Sequence, residues 1–549
     1  MFNMNKIIAI IPAAWKPTNT INASYNNLPD CMIPINSKPV IWHILDDLIS
    51  RDIFDALILL NKNDIYTEKY VSIRYSKKMT LFFKYIEDST RWIIWSIKQW
   101  LAWIDFGKYD SSFIYLWDTI YKWELDFSSS FLTIKGEYDN SELWCFVEQK
   151  LDKLKFVNKP KDYIWDWKIL TWLYFFKDSK IFTEILFTLN SWELYLLLEK
   201  YSQNDKFELV DSQKWYDIWN IDNYYKAKID FLKIRSFNNV IYDDVYGTIT
   251  KSSRNHQKIV DEINWYKNIP SDLQVFAPRL INYNIWEKPF YEIEYYWYQS
   301  LWDLFLFWYL NKNVWFSIID KLFQPIKLFK KHTTDFSNEH FQNIYYKKTI
   351  DRLYKLMENQ YFDELIKKDK ITINWKIYNN ISFYLPKLKD FTDTLYDEND
   401  VSFIHWDYCL SNILFDTWNK IIKMIDPRWD FWQKWVYWDI KYDLAKLRHS
   451  FVWYYDFIVS DLFSINQLNV DTFEFDIYND EIHKDISSYF DIKLLDNWYN
   501  LIKIKLIESL LFLSMIPLHS DSFERQKAMY LTSVMKLNDI NLNQLLCTD

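Results

Sequence analysis

Residues 403–416 read "FIHWDYCLSNILFD", and the tryptophan at 406 decides how the rest of the chain is read. An apolar run enters a tight turn at His405 and Asp407. Glycine fills such a turn without steric cost, and tryptophan does not. Composition accounts for the misfit. Glycine averages about 7% of an ordinary protein, which is roughly 38 positions in a chain of 549 residues. This chain has 3 glycines and 30 tryptophans. The two letters together come close to the expected glycine count, so most Trp letters are read as standing for glycine. Phe, Tyr, Ile, Asn and Lys, whose codons are AT-rich, are abundant, and lysine far outnumbers arginine. A low-GC gene in which UGA means glycine, translated with a table in which it means tryptophan, gives this pattern. The alternative is a protein truly rich in tryptophan, and Trp144 and Trp215 do stand where a large aromatic fits.

The other bounds are ordinary. A chain this long forms two or more domains with ample core. A net charge of -9 argues against nucleic acid or an anionic membrane as the main partner, leaving small-molecule substrates. The 4 cysteines, Cys31, Cys145, Cys409 and Cys547, lack a CxxC pair, so neither a disulfide framework nor a zinc knuckle is indicated. No apolar run reaches the roughly 18 residues of a membrane span. The opening "KIIAIIPAA" is read as a first strand rather than a signal segment, because one lysine precedes it and a motif-bearing loop follows. A cytoplasmic location is therefore expected, with the oligomeric state open.

Order of elements divides the chain. "KIIAIIPAA", the helical "PVIWHILDDLISRDI", "DALILL" and "SSFIYLWD" alternate in the manner of an α/β layer with a mainly parallel sheet. A new pattern starts near Arg235. There "FNNVIYDDVYGTITKSS" reads as a hairpin turning at Gly247, followed by a helix through "NHQKIVDEINWYKNI". Beyond about residue 300 long amphipathic helices dominate, with strands only around 400 to 430. Two domains are expected, 1–232 and 233–549.

With glycine at 406 the opening stretch becomes H-G-D-x-x-x-x-N, running from His405 through Asp407 to Asn412. In kinases the aspartate of such a loop orients the substrate hydroxyl and accepts its proton, and the asparagine five residues on holds Mg²⁺. A second carboxylate must share the metal, and "IIKMIDPRWDFW" supplies Asp426 after an apolar strand. Two oxygen ligands plus ATP phosphates suit Mg²⁺, which keeps several waters. Lys251 in "TITKSS" is placed to meet ATP phosphates, with Glu262 on the next helix to hold it. The plainer reading of that pair is a surface lysine and a solvated helix charge.

On these residues the half from about 235 to 545 resembles the aminoglycoside phosphotransferase and choline kinase family, whose two-lobed α+β fold is that of protein kinases. The likeness is carried by "FIHWDYCLSNILFD", "IDPRWDFW" and "VYWDIKYDLAKLRHS", each lacking only its glycines. It implies a bracing role for Asp443, an interlobe hinge at "YEIEYYWYQSL", and a small hydroxyl compound such as choline or a sugar as acceptor.

The first half repeats the puzzle at "IIPAAWKPTNT". With glycine at the Trp15 position, this strand and loop resemble the opening of the sugar nucleotidyltransferase family, a Rossmann-like α/β fold whose Gly-rich loop wraps an incoming NTP. Backbone amides approach phosphates closely only where side chains are absent. "LPDCMIPINSKPVIWHILDDL", "RWIIWSIKQW" and "IYLWDTI" agree with that pattern. The resemblance implies that Asp118 and Asp217 bind Mg²⁺ and that Lys159 meets the substrate phosphate. Metal carboxylates there make chemical sense, because attack on an α-phosphate develops charge that Mg²⁺ neutralises. The chain departs from the pattern at Asn19 and Asp30, where an arginine and a lysine are usual; Lys16 is the available compensation.

The joint expectation is a bifunctional enzyme that makes an activated precursor for surface polysaccharide, using ATP and a second NTP. A kinase whose first domain only binds nucleotide or sugar is the alternative. A third reading takes the tryptophans literally, as exposed carbohydrate-binding platforms.

Overall fold

The run Ile7–Pro12 is buried along nearly its whole length, and its residues are almost all apolar. A continuous apolar run of this kind, rather than an alternating one, marks a strand covered on both faces at the centre of a parallel sheet. In the computed structural model it pairs in parallel with Asp55–Asn61 on one side and Ser111–Tyr115 on the other. Thr80–Ile86 extends the parallel set beyond Asp55–Asn61. Past Ser111–Tyr115 the sheet continues antiparallel through Lys168–Phe176, Cys145–Lys150 and Lys153–Asn158. Phe131–Lys135 and Glu208–Asp211 branch from it, giving nine strands. Helix Val40–Ser50 lies where the sequence reading put it and buries Val40, Ile41, Ile44, Leu45 and Leu48.

The described residues are 5–541 except 15–27, 65, 88–92, 102–104, 137–140, 151–152, 162–166, 192, 219–220, 234–237, 308–309, 336–338 and 429–435. The chain divides into two units, Met1–Leu232 and Lys233–Asp549.

The second unit begins with the hairpin Asn238–Asp243 and Thr248–Ser253. It turns at Gly247, whose φ of 62° needs no side chain. Asp243 Oδ1 accepts from the N–H groups of Val245 and Tyr246, both at 3.0 Å, and fixes that turn. Phe290–Glu294 and Leu280–Asn284 complete a four-stranded antiparallel sheet. Helix His256–Asn268 packs on it and is capped by Asn255, whose side chain accepts from Lys258 N–H. Helices dominate the rest of the unit. Leu501–Met515 is buried all round from Leu506 onward and forms the core against Lys348–Met357, Ile440–Phe451 and Phe523–Asp539.

One element departs from the sequence reading. Lys370–Ile373, Lys376–Asn379, Phe463–Asn469 and Thr472–Ile477 form a four-stranded sheet in a region read as helical. The first hairpin turns on Asn374 and Trp375, at φ 50° and 64°. A two-residue turn with both φ values positive is normally Asn-Gly, and that is the strongest short-range hairpin signal a sequence carries. With tryptophan at 375 the sequence carries no such signal.

Trp172, Trp406 and Trp498 also have positive φ, at 74°, 68° and 62°. A bulky residue there is a conformational outlier. Trp498 is the left-handed residue ending helix Glu481–Asp496: its N–H bonds Leu495 O at 2.9 Å, and Tyr499 N–H bonds Leu494 O at 3.1 Å. That pair of bonds is the Schellman ending, whose usual residue is glycine. Trp286, Trp375, Trp418 and Trp498 are 74% to 95% exposed, each at a separate turn. The literal reading expects aromatic platforms; of these four, Trp375 and Trp498 sit at positive φ, where turns favour glycine. By contrast Trp144 and Trp215 pack together at 5.5 Å in a cluster with Phe146 and Ile169, as large aromatics should.

Relieving a left-handed side chain recovers about 1 kcal/mol. Trp375→Gly and Trp498→Gly, made singly in the chain as written, are each expected to raise the urea midpoint accordingly; a lowered midpoint in both would contradict this account of the turns.

Candidate functional sites

In the second unit, strand Thr248–Ser253 carries Lys251 with its side chain 5% exposed. Its Nζ donates to Glu262 Oε2 at 2.9 Å and to Asp426 Oδ1 at 2.8 Å. The two carboxylates come from the following helix and from a loop 175 residues away. Burial by itself would favour loss of the lysine proton, but Asp426 and then Glu262 outweigh it and raise the pKa. Tyr291 Oη–H donates to the same Glu262 oxygen at 2.6 Å, which fixes the carboxylate. The reading of Lys251 and Glu262 as solvated surface charges is therefore excluded by their burial.

Asp407 is buried and ion-paired twice, to Arg428 at 2.9 Å and to Lys446 at 3.1 Å. Burial raises its pKa, yet Arg428 and then Lys446 win and hold the carboxyl well below the usual range. Asn412 Nδ2 donates to Asp407 O at 3.0 Å, and its amide oxygen accepts from Ser411 Oγ–H at 3.4 Å. Ile425 N–H bonds Asn412 O at 2.9 Å, tying this loop to the strand that leads into Asp426. The segment expected as a hinge joins the same assembly, since Gln299–Ser300 pairs with Ile413–Phe415.

The backbone of the loop is held from behind. Asp443, on helix Ile440–Phe451, accepts from His405 N–H at 2.6 Å, and Trp265 Nε1–H bonds Ile404 O at 3.0 Å. Burial pushes the Asp443 carboxyl up to about 7. Trp406 takes φ 68° between these supports, and its ring stacks on Trp438 at 5.3 Å. Trp429 lies outside the described residues.

In the first unit Asp118 follows the parallel strand Ser111–Tyr115, at the carboxyl end where open α/β sheets bind ligands. Asp217 ends strand Trp215–Asp217, which runs antiparallel to Thr119–Tyr121 with Asp217 opposite Thr119. Ile218 N–H bonds Asp118 O at 2.8 Å, so the two carboxylates are neighbours. Burial first, then the charges of Asp217 and Asp30, push the Asp118 carboxyl well above its ordinary range. Neighbouring carboxylates that repel one another in this way suit a divalent cation. Among the described residues no group of three or more His, Cys, Asp or Glu is arranged to hold a metal, so a site here rests on the pair plus substrate oxygens.

Trp15 and Lys16 lie outside the described residues. Lys159, exposed at φ 49° after strand Lys153–Asn158, makes no ion pair with Asp118 or Asp217. The structure thus joins Lys251, Glu262 and Asp426, joins Asp407 with Asn412, and joins Asp118 with Asp217. Sequence reasoning missed Arg428 and Lys446. Lys446 lies one helical turn past Asp443, a spacing that placed it on the same face.

Asp443 sets a pH dependence. An unfolded aspartate has a pKa of about 3.9, so the unfolded chain releases this proton first. Stability contributed by the protonated carboxyl is full below that value and is lost as pH rises toward about 7. Asp443→Asn is expected to flatten the fall in thermal midpoint between pH 5 and pH 8; an unchanged slope would contradict the assignment, since Asp456, also raised to about 7, remains in both proteins.

No protein-family model matches the chain, and no curated protein does. Solved structures similar to it include the nucleoside-diphosphate-sugar pyrophosphorylase from Vibrio cholerae RC9, at 15% identity and a TM-score of 0.34, covering 40% of this chain and 99% of that one. The UDP-glucose pyrophosphorylase from Acinetobacter baumanii is similar at 15% identity and a TM-score of 0.34, over 42% and 95%. The inositol-1-phosphate CTP transferase from T. maritima is similar at 12% identity and a TM-score of 0.35, over 42% and 98%. At these values the likeness carries no argument, and the α/β character of the first unit stands on its own sheet order.

Proposed function

We propose that residues 233–549 transfer the γ-phosphoryl group of ATP to the hydroxyl of a small molecule, and that residues 1–232 couple a phosphorylated substrate to an NTP with release of pyrophosphate. The observation that carries the first activity is the buried Lys251 ammonium held between Glu262 and Asp426. A charge fixed in that way is ready for ATP phosphates without reorganising. Asn412 and Asp426 fit a Mg²⁺ site: the amide oxygen of the first accepts only a long bond from the Ser411 hydroxyl, at 3.4 Å, and the second stays a third exposed beside the lysine. When bound, Mg²⁺ would neutralise charge on the β- and γ-phosphate oxygens.

Asp407 orients the attacking hydroxyl. Held by Arg428 and Lys446, it is a weak base in the resting site. It therefore takes the proton late, after the hydroxyl has become acidic by bonding to phosphorus, which agrees with a loose transition state. Position 406 must take a left-handed backbone for Asp407 to face the site. We accordingly read residue 406 as glycine in the protein as its host makes it.

In the first unit Asp118 and Asp217 would hold Mg²⁺ against the NTP, with Trp15, Lys16 and Lys159 at the phosphates. Both activities together suit a cytoplasmic enzyme supplying activated precursors for surface polysaccharide, such as capsule. Among the described residues no helix is long and apolar enough to cross a membrane. A second reading, a kinase with a nucleotide- or sugar-binding first domain that does not turn over, draws support from Asp30. Its charge adds to that on Asp118, where a cation would favour a triphosphate.

With γ-labelled ATP and a hydroxyl acceptor, Asp407→Asn is expected to lower kcat by about a hundredfold or more. An undiminished rate would remove Asp407 from the chemistry. Peptide mass spectrometry of natively produced protein across residues 401–428 is expected to find glycine at 406, and tryptophan there would overturn the recoding. Pyrophosphate release from any NTP and sugar phosphate would eliminate the binding-module reading.

A further inference from the structure

Two buried tyrosines stand beside the Glu262 carboxylate, and only one of them is bonded to it. Tyr291 lies opposite Lys251 in the strand pairing, and its hydroxyl donates to Glu262 Oε2 at 2.6 Å. Tyr266 packs against Tyr291 with ring centroids 5.6 Å apart. It is 6% exposed, and among the described residues its Oη meets no hydrogen-bond partner.

Glu262 has the complementary deficit. Its Oε2 accepts from both Lys251 and Tyr291, whereas its buried Oε1 accepts no hydrogen bond and has only the Lys258 ammonium at 3.7 Å. Neither Tyr266 Oη nor Glu262 Oε1 is open to water. The two residues stand four apart on helix His256–Asn268, which puts them on one face. Helical side chains lean toward the N-terminus, so Tyr266 leans over the turn that carries Glu262. Burial, then the charges of Asp426 and Glu262, push the Tyr266 pKa well above its ordinary value, so the hydroxyl keeps its proton and is a donor.

A buried hydroxyl without a partner destabilises a fold, and phenylalanine fills the same space without that penalty. Such a group in a native structure calls for a state in which it is used. The proposed nucleotide site supplies one. At rest the Lys251 ammonium is divided between Glu262 and Asp426, at 2.9 and 2.8 Å. ATP phosphates compete for that ammonium, and Glu262 is then buried with less of its countercharge.

We infer that Tyr266 is a positioning residue of the nucleotide site. When Lys251 turns toward the phosphates of ATP, the Tyr266 hydroxyl donates to Glu262 Oε1 and holds that carboxylate in place, so that Glu262 still orients the lysine. In this role Tyr266 acts through Glu262 rather than on the reacting atoms. The inference rests on the nucleotide-site reading of Lys251, Glu262 and Asp426.

The test compares the full-length native protein with Tyr266→Phe in two measurements that a merely structural hydroxyl would move together. In thermal unfolding without nucleotide, the variant is expected to match the parent or to melt about 1–2 °C higher, whereas loss of a bonded group lowers the midpoint. In calorimetric titration with a non-hydrolysable ATP analogue and Mg²⁺, the variant is expected to bind at least about fivefold more weakly, as suits one lost hydrogen bond to a charged group. A lowered midpoint, or failure of the variant to fold, would show the hydroxyl already bonded at rest and would overturn the inference. A smaller loss of affinity would overturn it while leaving the nucleotide site standing. A parent protein that does not bind the analogue would overturn the nucleotide-site reading, and the inference with it.

Discussion

A lysine ammonium buried between two carboxylates holds the second unit in register. Removing an ammonium group from water costs several kcal/mol unless partners compensate, and breaking such a pair by deleting one member is more damaging than never having had it. Lys251 is on a strand, Glu262 on the helix that follows, and Asp426 on a loop 175 residues later. The three can satisfy one another only when sheet, helix and loop are assembled. The same contact that completes the fold therefore defines a site in which a fixed positive charge faces an accessible carboxylate.

Asp407 is organised by a second set of constraints. Its side chain is held by Arg428 and Lys446, and its main chain is positioned by Asn412, while His405 before it is tied to Asp443. The backbone between these anchors passes through a left-handed conformation at 406. Sterics at one residue and electrostatics at its neighbours thus act together: the turn aims the carboxylate, and the cations keep it ionised.

Much of this was legible in the residues. The spacing from Asp407 to Asn412 and on to Asp426, with Lys251 and Glu262 upstream, named groups that the fold does bring into contact. Alternating strand and helix patterns likewise foretold the parallel centre around Ile7–Pro12. What escaped were features whose signal is one residue wide. The sheet at 370–379 and 463–477 hinges on Asn374 and Trp375, a left-handed turn that the sequence does not mark with Asn-Gly. The partners of Asp407 escaped because an arginine two residues past Asp426 and a lysine on a bracing helix look like ordinary surface charges until the fold shows what they face. Asp30 was noticed for its sign, but its effect on Asp118 depends on a proximity that only the folded sheet reveals.

The central claim is that Lys251, Glu262 and Asp426 form a nucleotide-phosphate site. Calorimetric titration of the native protein with a non-hydrolysable ATP analogue and Mg²⁺, compared with Lys251→Met, tests it most directly. The account predicts saturable binding that weakens at least tenfold in the variant, with the thermal unfolding transition still cooperative. Equal affinity in the two proteins would contradict it.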